Sequence, residues 1–472
     1  IMRNRVGIIG GGAAGMMAAI AAARGGAKVT LLEGNDRLGK KILSTGNGKC
    51  NLGNERLGIE DYYTGCPDLL EKLLEQFGTA DTISFFQGIG LMVKSRNGYL
   101  YPACEQAAAV LDVLRYEVRA AGVEVVTDFK VESIRLGRRA RQFNVQGREG
   151  GRSFDRVILA CGGKAVPKTG SDGSGYRLAR QLGHSLVPTV PALVQLRCRE
   201  DCLKAVAGVR ADAELSVCWQ GKCVSRERGE LQLTEYGISG IPVFQLSRTV
   251  NYILLGKNPG EAGRGGEGDA SLRHPDNATD QTIAGGCVSA RRGEEPGREE
   301  KRRQGNKPKE PDREVEVVID FLPDYTDSDF EAMCAGRRLL QGQRTVEEFF
   351  TGMLHKKLMI LFIKLAGLKA TESVGEADER KLAKVFALCR HWSVHVVGSN
   401  PYDSAQVCAG GVPLDEVTEE LESRLVPGLY FAGELLDVDG RCGGYNLQWA
   451  WCSGFIAGCG AAGCREKRIS RI

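Results

Sequence analysis

The chain has little histidine and lacks the cysteine pairs that are typical of zinc sites. It contains 5 histidines in 472 residues, and its 16 cysteines include no C-x-x-C sequence. Spacings such as Cys198 to Cys202 and Cys218 to Cys223 match no zinc-binding pattern. We therefore predict no metal site and expect mostly reduced cysteines, many of them buried.

A strong excess of one charge is also absent. The formal net charge is +4, and basic and acidic residues are interleaved. Bulk charge therefore gives no reason to predict nucleic-acid binding. An apolar content of 42% and a charged content of 26% are typical of soluble globular proteins. A chain of this length predicts two or three domains.

Long hydrophobic runs are missing as well. The most apolar helix-like run, from about residue 447 to 462, contains Gln448 and several glycines and falls short of the ~20 residues that span a bilayer. The sequence opens directly on a strand pattern, without a secretory segment before it. We therefore expect a cytoplasmic protein with no membrane partner.

The start of the chain predicts a dinucleotide-binding βαβ unit. A β-branched run is followed by GGGAAG, an alanine-rich helical stretch and a second apolar strand, AKVTLLE. Gly10, Gly12 and Gly15 match the G-x-G-x-x-G spacing, and Glu33 follows about 20 residues later. Gly10 would permit the tight turn, Gly12 the close approach of a pyrophosphate, and Gly15 close packing of the helix on the strand.

The helix that begins in this motif is expected to bind phosphates. Free amides in its first turn, which includes Ala13 and Ala14, and the positive end of the helix dipole both attract anions. Glu33 would accept hydrogen bonds from a ribose diol and would disfavour a 2′-phosphate. The site therefore suits FAD or NAD rather than NADP. The alternative is a glycine turn that binds no nucleotide.

Two later strands predict that the nucleotide domain is discontinuous. FDRVILACGG at 154–163 and VPGLYFAGELLDVDG at 426–440 both resemble strands of the same sheet. The predicted fold class is α/β, with a Rossmann-type FAD-binding domain and an inserted, mixed β-barrel-like and helical domain. The predicted limits are 1–190 and 396–472 for the FAD-binding domain, 191–327 for the β-rich insert, and 328–395 for its helical part.

Within the insert, residues 256–313 are rich in Gly, Arg, Glu and Pro and poor in large apolar side chains. Such a segment cannot bury enough surface to offset the entropy of ordering it, so we predict a disordered or loosely ordered loop. Its charged part could be an interaction arm, although a solvated linker is the favoured interpretation.

The loop after Glu33 favours FAD over NAD. It reads GNDRLGKKILSTGNGKCNLGN, a basic and glycine-rich sequence. Arg37, Lys40 and Lys41 would supply charge near the pyrophosphate, and the small residues after them could lie against a flat ring. A single NAD site needs no second binding loop here, whereas the longer FAD does.

Long, ordered motifs then identify a family. GGGAAGMMAA, NDRLGKKILSTGNGKCNLGN, GGKAVPKTGSDGSGY, LTEYGISGIPVFQLSR, AGGVPLDEV and LYFAGELLDVDGRCGGYNLQWAWCSGFIAG resemble the YhiN/BaiN group of FAD-dependent oxidoreductases, which includes aminoacetone-oxidase-like members. The resemblance covers nearly the whole chain. Only the insertion at 256–313 departs from the compact pattern of the group.

The resemblance implies a set of cofactor contacts. Gly12 to Gly15 would bind the pyrophosphate, Glu33 the adenosine ribose, and the backbone of Val131 the adenine. Gly162 and Gly163 would let the chain pass close to the nucleotide. The flavin, or its ribityl and phosphate groups, would be lined by Lys41, Thr45, Gly46, Asn47, Cys50 and Asn51. The ribityl and phosphate end would also be reached by Gly433, Glu434 and Asp437, and the ring would be met by Gly444, Tyr445, Asn446 and Leu447.

The residues themselves support the last group. Two glycines in DGRCGGYNLQWAW precede a predicted helix, so free amides could stabilise the negative charge of a reduced flavin. A glycine-rich turn before a packed helix is the alternative. Cys50 stands alone, without the C-x-x-x-x-C pair of flavin disulfide reductases, so packing beside the ring is favoured over redox work.

No catalytic side chain is assigned. The candidate general acids are Tyr236, Lys168, His395 and Tyr445, although an ordinary strand position is the favoured interpretation of His395.

The favoured function is flavin hydride transfer to a small or medium organic substrate. The resemblance suggests reduction of steroid or bile-acid-like enones, with NADH or NADPH as reductant. The alternatives are flavin amine oxidation and an RNA-modifying or RNA-binding flavoprotein; a nucleic-acid partner is disfavoured because the charged arm at 291–313 contains many glutamates.

Overall fold

A computed structural model describes residues 4–137, 142–258 and 314–464. All but the first three residues of the loop predicted at 256–313, including its charged arm, lie outside the described residues. Across the described ranges, no helix combines the length and hydropathy needed to cross a bilayer.

The strands are numbered in chain order. They are β1 (Arg5–Ile9), β2 (Lys28–Leu32), β3 (Gly53–Asn54), β4 (Tyr62–Tyr63), β5 (Val93–Arg96), β6 (Tyr99–Pro102), β7 (Glu124–Val126), β8 (Val131–Leu136), β9 (Phe143–Gly147), β10 (Gly150–Phe154), β11 (Arg156–Leu159), β12 (Val187–Ala192), β13 (Leu196–Cys198), β14 (Arg210–Trp219), β15 (Lys222–Thr234), β16 (Gly237–Gly240), β17 (Val315–Asp320), β18 (Trp392–Ser399), β19 (Val407–Gly411), β20 (Leu429–Phe431) and β21 (Asp439–Gly440).

The α-helices are numbered in the same way. They are α1 (Ala13–Arg24), α2 (Pro67–Gln76), α3 (Thr79–Gly88), α4 (Ala107–Ala120), α5 (Ser174–Gln181), α6 (Ile241–Leu254), α7 (Asp327–Gln341), α8 (Val346–Phe350), α9 (Lys356–Leu365), α10 (Glu379–Arg390) and α11 (Tyr445–Ala462).

A five-stranded sheet forms the nucleotide-binding part, in the order β20-β11-β1-β2-β7, with every neighbouring pair parallel. Apolar runs such as VGII and KVTLL are buried on both faces, as expected of parallel strands covered by helices. β20 pairs with β11 although roughly 270 residues separate them. The predicted Rossmann-type α/β fold, which takes strands from distant parts of the chain, is confirmed.

Helices α1 and α11 pack closely because small residues meet along their contact. A Cβ atom added at Gly454 would overlap the carbonyl oxygen of Ala14, and one added at Gly458 would overlap that of Ala18. Most of α11 is buried, and its sequence contains no charged residue. This contact fixes the start of α11 relative to the glycine motif at the start of α1.

The insert contains a closed barrel of six strands, in the order β13-β16-β15-β14-β17-β18. Its alternating apolar residues and those of α8 to α10 share one hydrophobic core. The predicted barrel-like insert is therefore confirmed. The predicted limits at 190/191 and 395/396 fall inside β12 and β18, because the antiparallel pair β12-β19 leads into the barrel and β18 closes it. We keep the division into domains as a proposal.

Short strands place later segments of the chain beside earlier ones. β21 pairs with β4, so Asp439 lies opposite Tyr63. β3, β6 and β5 form a small antiparallel sheet, and the hairpin between β5 and β6 reaches toward the loop that precedes α11. These pairings bring the loop at 440–444 against residues of the first quarter of the chain.

Candidate active site

A cleft of about 320 Å³ lies at the carboxyl ends of the parallel strands. Ile9, Leu32, Ala160 and Ala432, at or just beyond the ends of β1, β2, β11 and β20, all line it. In open α/β sheets this edge is where nucleotides bind. The cleft also receives residues from the starts of α1 and α11.

Many of the residues predicted to bind the cofactor line this cleft. They come from both ends of the chain: Gly10, Gly12, Ala13, Ala14, Glu33, Lys41, Thr45, Val131, Gly162, Gly433, Glu434, Asn446 and Leu447.

The other predicted residues are outside the cleft lining. Gly15 and Gly163 pack against neighbouring segments, and Gly46 and Asn47 are exposed in a turn. The remaining residues are buried or half-buried: Cys50, Asn51, Asp437, Gly444 and Tyr445. Cleft-lining residues that the sequence argument missed include Asn35, Lys130, Ser171 and Gln406. Lys130 adjoins the predicted Val131, which was the available signal.

The three motif glycines have different surroundings. Gly10 has φ +104°, a conformation that side chains rarely adopt. A Cβ atom at Gly12 would meet no atom within 4 Å, so this backbone borders open space. A Cβ atom at Gly15 would overlap the carbonyl oxygen of Gly10. Gly12 can therefore admit a ligand, whereas Gly15 lets the helix pack on the strand.

Glu33 is held in place by amides from the turns that follow β1 and β2. Its Oε2 accepts a hydrogen bond from the Gly11 N–H at 2.7 Å, and its Oε1 accepts from the backbone N–H and the Nδ2 of Asn35 at 2.8 and 2.7 Å. The carboxylate is buried yet lines the cleft. Since its two oxygens offer about four acceptor positions, it retains capacity for a ribose hydroxyl.

Lys41 and Glu434, predicted as separate contacts, form an ion pair. Lys41 Nζ lies 2.8 Å from Glu434 Oε2, and Glu434 Oε1 accepts a hydrogen bond from the Cys408 N–H at 2.7 Å. Glu434 therefore joins the loop after β2 to β19, the strand that leads out of the insert.

The start of α11 is a rigid turn. Gly444 has φ +95° and lies against Asn51. The Asn446 side chain accepts from the Gly440 N–H and donates to the Gly440 carbonyl, both at 2.8 Å. The first-turn amides of α11 lack acceptors within the helix and carry partial positive charge. Leu447 in this turn lines the cleft.

The site fits FAD in three observed respects. The backbone at Gly12 faces open space at the start of α1. A second helix start, that of α11, reaches the same cleft. Asn51 Oδ1 is buried beside Gly444 without a hydrogen-bond partner among the described residues, which is costly unless a ligand supplies a donor.

Cys50 is fully buried with φ +58°. Burial raises the pKa of its thiol to about 11, so the neutral form persists at physiological pH. A neutral, buried thiol is a poor nucleophile, which favours the packing role over redox chemistry.

A buried charge cluster that was not predicted from the sequence lies where α6 meets β21. Arg248 on α6 pairs with Asp439 on β21 at 2.9 Å, and both side chains are about 95% buried or more. The guanidinium also lies over the rings of Tyr63 and Tyr252, 4.4 and 4.9 Å from their centroids. Arg248 ends the family motif LTEYGISGIPVFQLSR, and a lone charge on an apolar helix was the available signal.

Asp437 is the second carboxylate of this cluster. Burial, together with the Asp439 carboxylate, raises its pKa to about 7, although Arg248 opposes the shift. Its Oδ1 has no hydrogen-bond partner among the described residues. Near neutral pH this side chain is therefore partly protonated.

Substituting Asp437→Asn should change how stability depends on pH. A carboxyl whose pKa rises on folding loses stability as pH increases from its unfolded pKa to its folded one. We expect the variant to gain on the order of 2 kcal/mol relative to the parent between pH 5 and pH 8. Urea unfolding at both pH values measures this difference, and parallel pH profiles for the two proteins would contradict it.

Two of the candidate general acids adjoin residues that line the cleft: Tyr445 precedes Asn446 and Leu447 at the start of α11, and Lys168 lies between Pro167 and Thr169. The Tyr445 hydroxyl bonds to Asp61, and burial raises the pKa values of both groups. Tyr236 is exposed and accepts from Asn400, while His395 pairs with Glu200 at 2.8 Å in β18. Lys168 is exposed.

Comparison with known proteins identifies the family to which the chain belongs. Residues 4–460 match the family model for the HI0933-like protein Rossmann domain. The chain is 40% identical to a 3-dehydro-bile acid delta(4,6)-reductase of Clostridium scindens, over 97% of this chain and 99% of that protein. It is 26% identical to a ribosomal RNA dihydrouridine synthase of Haemophilus influenzae, over 95% and 96%. A flavocytochrome c3 fumarate reductase structure aligns with 14% identity and a TM-score of 0.43, covering 98% of this chain and 78% of that one.

These matches confirm the resemblance to the YhiN/BaiN group, the expected FAD-dependent oxidoreductase class and FAD as the cofactor. The individual FAD contacts stay predictions. The chain belongs to the family of the HI0933-like protein Rossmann domain.

Proposed function

We propose that this protein reduces a conjugated carbon–carbon double bond in a steroid-like ketone, with NADH or NADPH as the electron source. The observation that carries the proposal is the 40% identity, over nearly the full length of both chains, to a 3-dehydro-bile acid delta(4,6)-reductase. A cytoplasmic location and a small-molecule substrate are part of the same proposal.

The cleft residues divide between the two ends of the cofactor. The amides that follow Gly12 would hold the pyrophosphate, Glu33 the ribose, and Val131 the adenine, while the start of α11 would meet the ring. Bound FAD supplies hydride transfer at this site. The amides of α11 offer fixed positive potential where negative charge collects, without reorganisation at the moment of reaction.

Reduction of an enone also needs a proton, and we infer that Tyr445, at the start of α11, supplies it. Its Oη is hydrogen-bonded to Asp61, and burial raises the tyrosine pKa, so the hydroxyl stays protonated at physiological pH. Asp61 is half-buried, and its own pKa is raised mainly by burial, so it can return a proton to Tyr445 more readily than an exposed carboxylate.

Tyr445→Phe should lower kcat for enone reduction by about 100-fold or more, the usual contribution of a positioned acid. FAD affinity should be unchanged, because only the hydroxyl is removed. Tyr116→Phe, at an exposed position on α4, is the matched control and should behave as the parent does. A Tyr445→Phe enzyme that retains most of its kcat would exclude this tyrosine as the donor.

The proposal is tested by anaerobic mixing. The holoprotein is first reduced with NADH or NADPH and then mixed with a steroid that carries a 3-ketone conjugated to 4,6 double bonds. We expect oxidised flavin absorbance to return and the steroid to gain two hydrogens by mass. Failure of every such steroid to reoxidise the flavin would overturn the proposal.

Ribosomal RNA is the second candidate substrate, because two relatives that are 26% identical over at least 94% of this chain are rRNA dihydrouridine synthases. Dihydrouridine formation likewise saturates a conjugated carbon–carbon bond. Incubation with unmodified rRNA and NADPH, followed by nucleoside mass analysis, separates the two substrates. Amine oxidation, the remaining alternative, would instead appear as oxygen uptake with aminoacetone.

A further inference from the structure

A second cavity, of about 150 Å³, lies beside the loop that precedes α11. The β5–β6 hairpin supplies most of its wall, and the ring of Tyr99 lies 3.0 Å from the position that a Cβ atom of Gly443 would occupy. We name it the hairpin pocket, and its lining residues are Lys49, Arg96, Asn97, Tyr99, Tyr101 and Glu105.

The hairpin pocket has more positive than negative charge. Glu105 pairs with Lys49 at 2.8 Å and with Lys94 at 2.7 Å. The two lysines hold the pKa of Glu105 down at about 2, so its charge is present at all physiological pH values. The single negative charge of Glu105 is therefore shared by two lysines. Arg96 is exposed on β5 and forms no ion pair with a described residue, so the local balance is positive.

The remaining lining is aromatic. Tyr99 and Tyr101 contribute ring surface, and burial raises the pKa of Tyr101, so its hydroxyl stays neutral. Ring faces bind apolar groups, while a guanidinium binds carboxylates through two parallel hydrogen bonds. The pocket therefore suits the anionic end of a molecule whose neighbouring part is apolar.

The size of the pocket restricts what it can hold. Sites for whole drug-sized ligands enclose roughly 300–1,000 Å³, so about 150 Å³ accommodates one end of such a ligand. The rest of the ligand would extend toward the start of α11, because Tyr99 of the pocket lining lies against Gly443, which immediately precedes the turn that begins α11.

We propose that the hairpin pocket binds the carboxylate of a steroid acid whose ring system is reduced at the start of α11. This inference rests on the proposed function and extends it from enones in general to acidic, amphipathic ones. Arg96 is the principal anion contact, and Lys49 adds positive potential.

The kinetic test compares two substrates and four proteins. A steroid dienone with a carboxylate side chain and its methyl ester are assayed with the parent and with Arg96→Gln, Arg96→Lys and Arg119→Gln. We expect Arg96→Gln to raise KM for the acid about 10-fold with little change for the ester, and Arg96→Lys to recover part of the loss. Arg119→Gln, an exposed arginine on α4 outside the pocket, should match the parent. Equal effects on acid and ester would overturn the assignment.

A binding test separates this inference from the proposed function. Titration of the holoprotein with cholate, a saturated steroid acid, requires no turnover. Binding that weakens about 10-fold in Arg96→Gln supports the hairpin pocket even if no dienone is reduced. If dienones are reduced but cholate binds the parent and Arg96→Gln equally, the enzyme proposal stands and the hairpin pocket is rejected.

Discussion

Replacing Arg248 by methionine should lower the free energy of unfolding by about 3–5 kcal/mol, the usual cost of breaking a buried ion pair from one side. The guanidinium is 5% exposed, and Asp439 and Asp437 are each about 3% exposed. Without the cation, two neighbouring carboxylates are left in a site that water does not reach. Arg248 belongs to the insert and Asp439 to the part that contains the five-stranded sheet. The substitution therefore also removes an ion pair that joins these two parts.

Urea denaturation of the holoprotein, followed by far-UV circular dichroism, measures this effect. The double variant Arg248→Met with Asp439→Asn leaves no charge at either position of the pair and should recover most of the loss. If the double variant is as unstable as Arg248→Met alone, the cost comes from lost packing rather than from an uncompensated charge. Arg226→Met, on an exposed ion pair with Glu214, should cost under about 1 kcal/mol.

Valine substitutions at Gly12 and Gly15 should have different effects, one on FAD binding and the other on stability. We expect Gly12→Val to leave the fold intact and to weaken FAD binding by about 100-fold or more, because a Cβ atom there meets no protein atom within 4 Å and borders the space where the pyrophosphate is expected to approach. We expect Gly15→Val to destabilise the apoprotein by about 1–3 kcal/mol or more, because its Cβ overlaps the Gly10 carbonyl.

Both variants are purified without cofactor, and their melting temperatures and FAD dissociation constants are compared with those of the parent. Gly12 has φ −78°, which valine adopts without strain, so a loss of stability there is not expected. Parental FAD affinity in the Gly12→Val protein would show that the cofactor does not pass this backbone.

The sequence predicted those parts of the fold that depend on local chemistry. The glycines at 10, 12 and 15 are required by a turn, an open backbone and a close helix contact, each of which acts within a few residues. The strands at 156–159 and 429–431 were recognisable as short apolar runs before glycine. Their common sheet followed from the family motifs as much as from their composition.

Contacts between distant segments were not predictable in the same way. Lys41 and Glu434 are 393 positions apart, and Arg248 and Asp439 are 191 apart. A single sequence does not indicate which of many charged residues will meet, because pairing depends on the packed three-dimensional arrangement. For the same reason the sequence did not predict the hairpin pocket. Its two tyrosines and Arg96 are recognisable as a site only once the fold brings Tyr99 against Gly443.

The pairing of β20 with β11 has a consequence for synthesis in the cell. At about 5–20 residues per second, a ribosome needs roughly 15 to 55 seconds to translate the stretch between Leu159 and Leu429. During that interval the hydrogen-bonding edge of β11 is without its final neighbour, and such edges recruit other chains. Until translation passes the insert, this edge of β11 is therefore open to pairing with other chains.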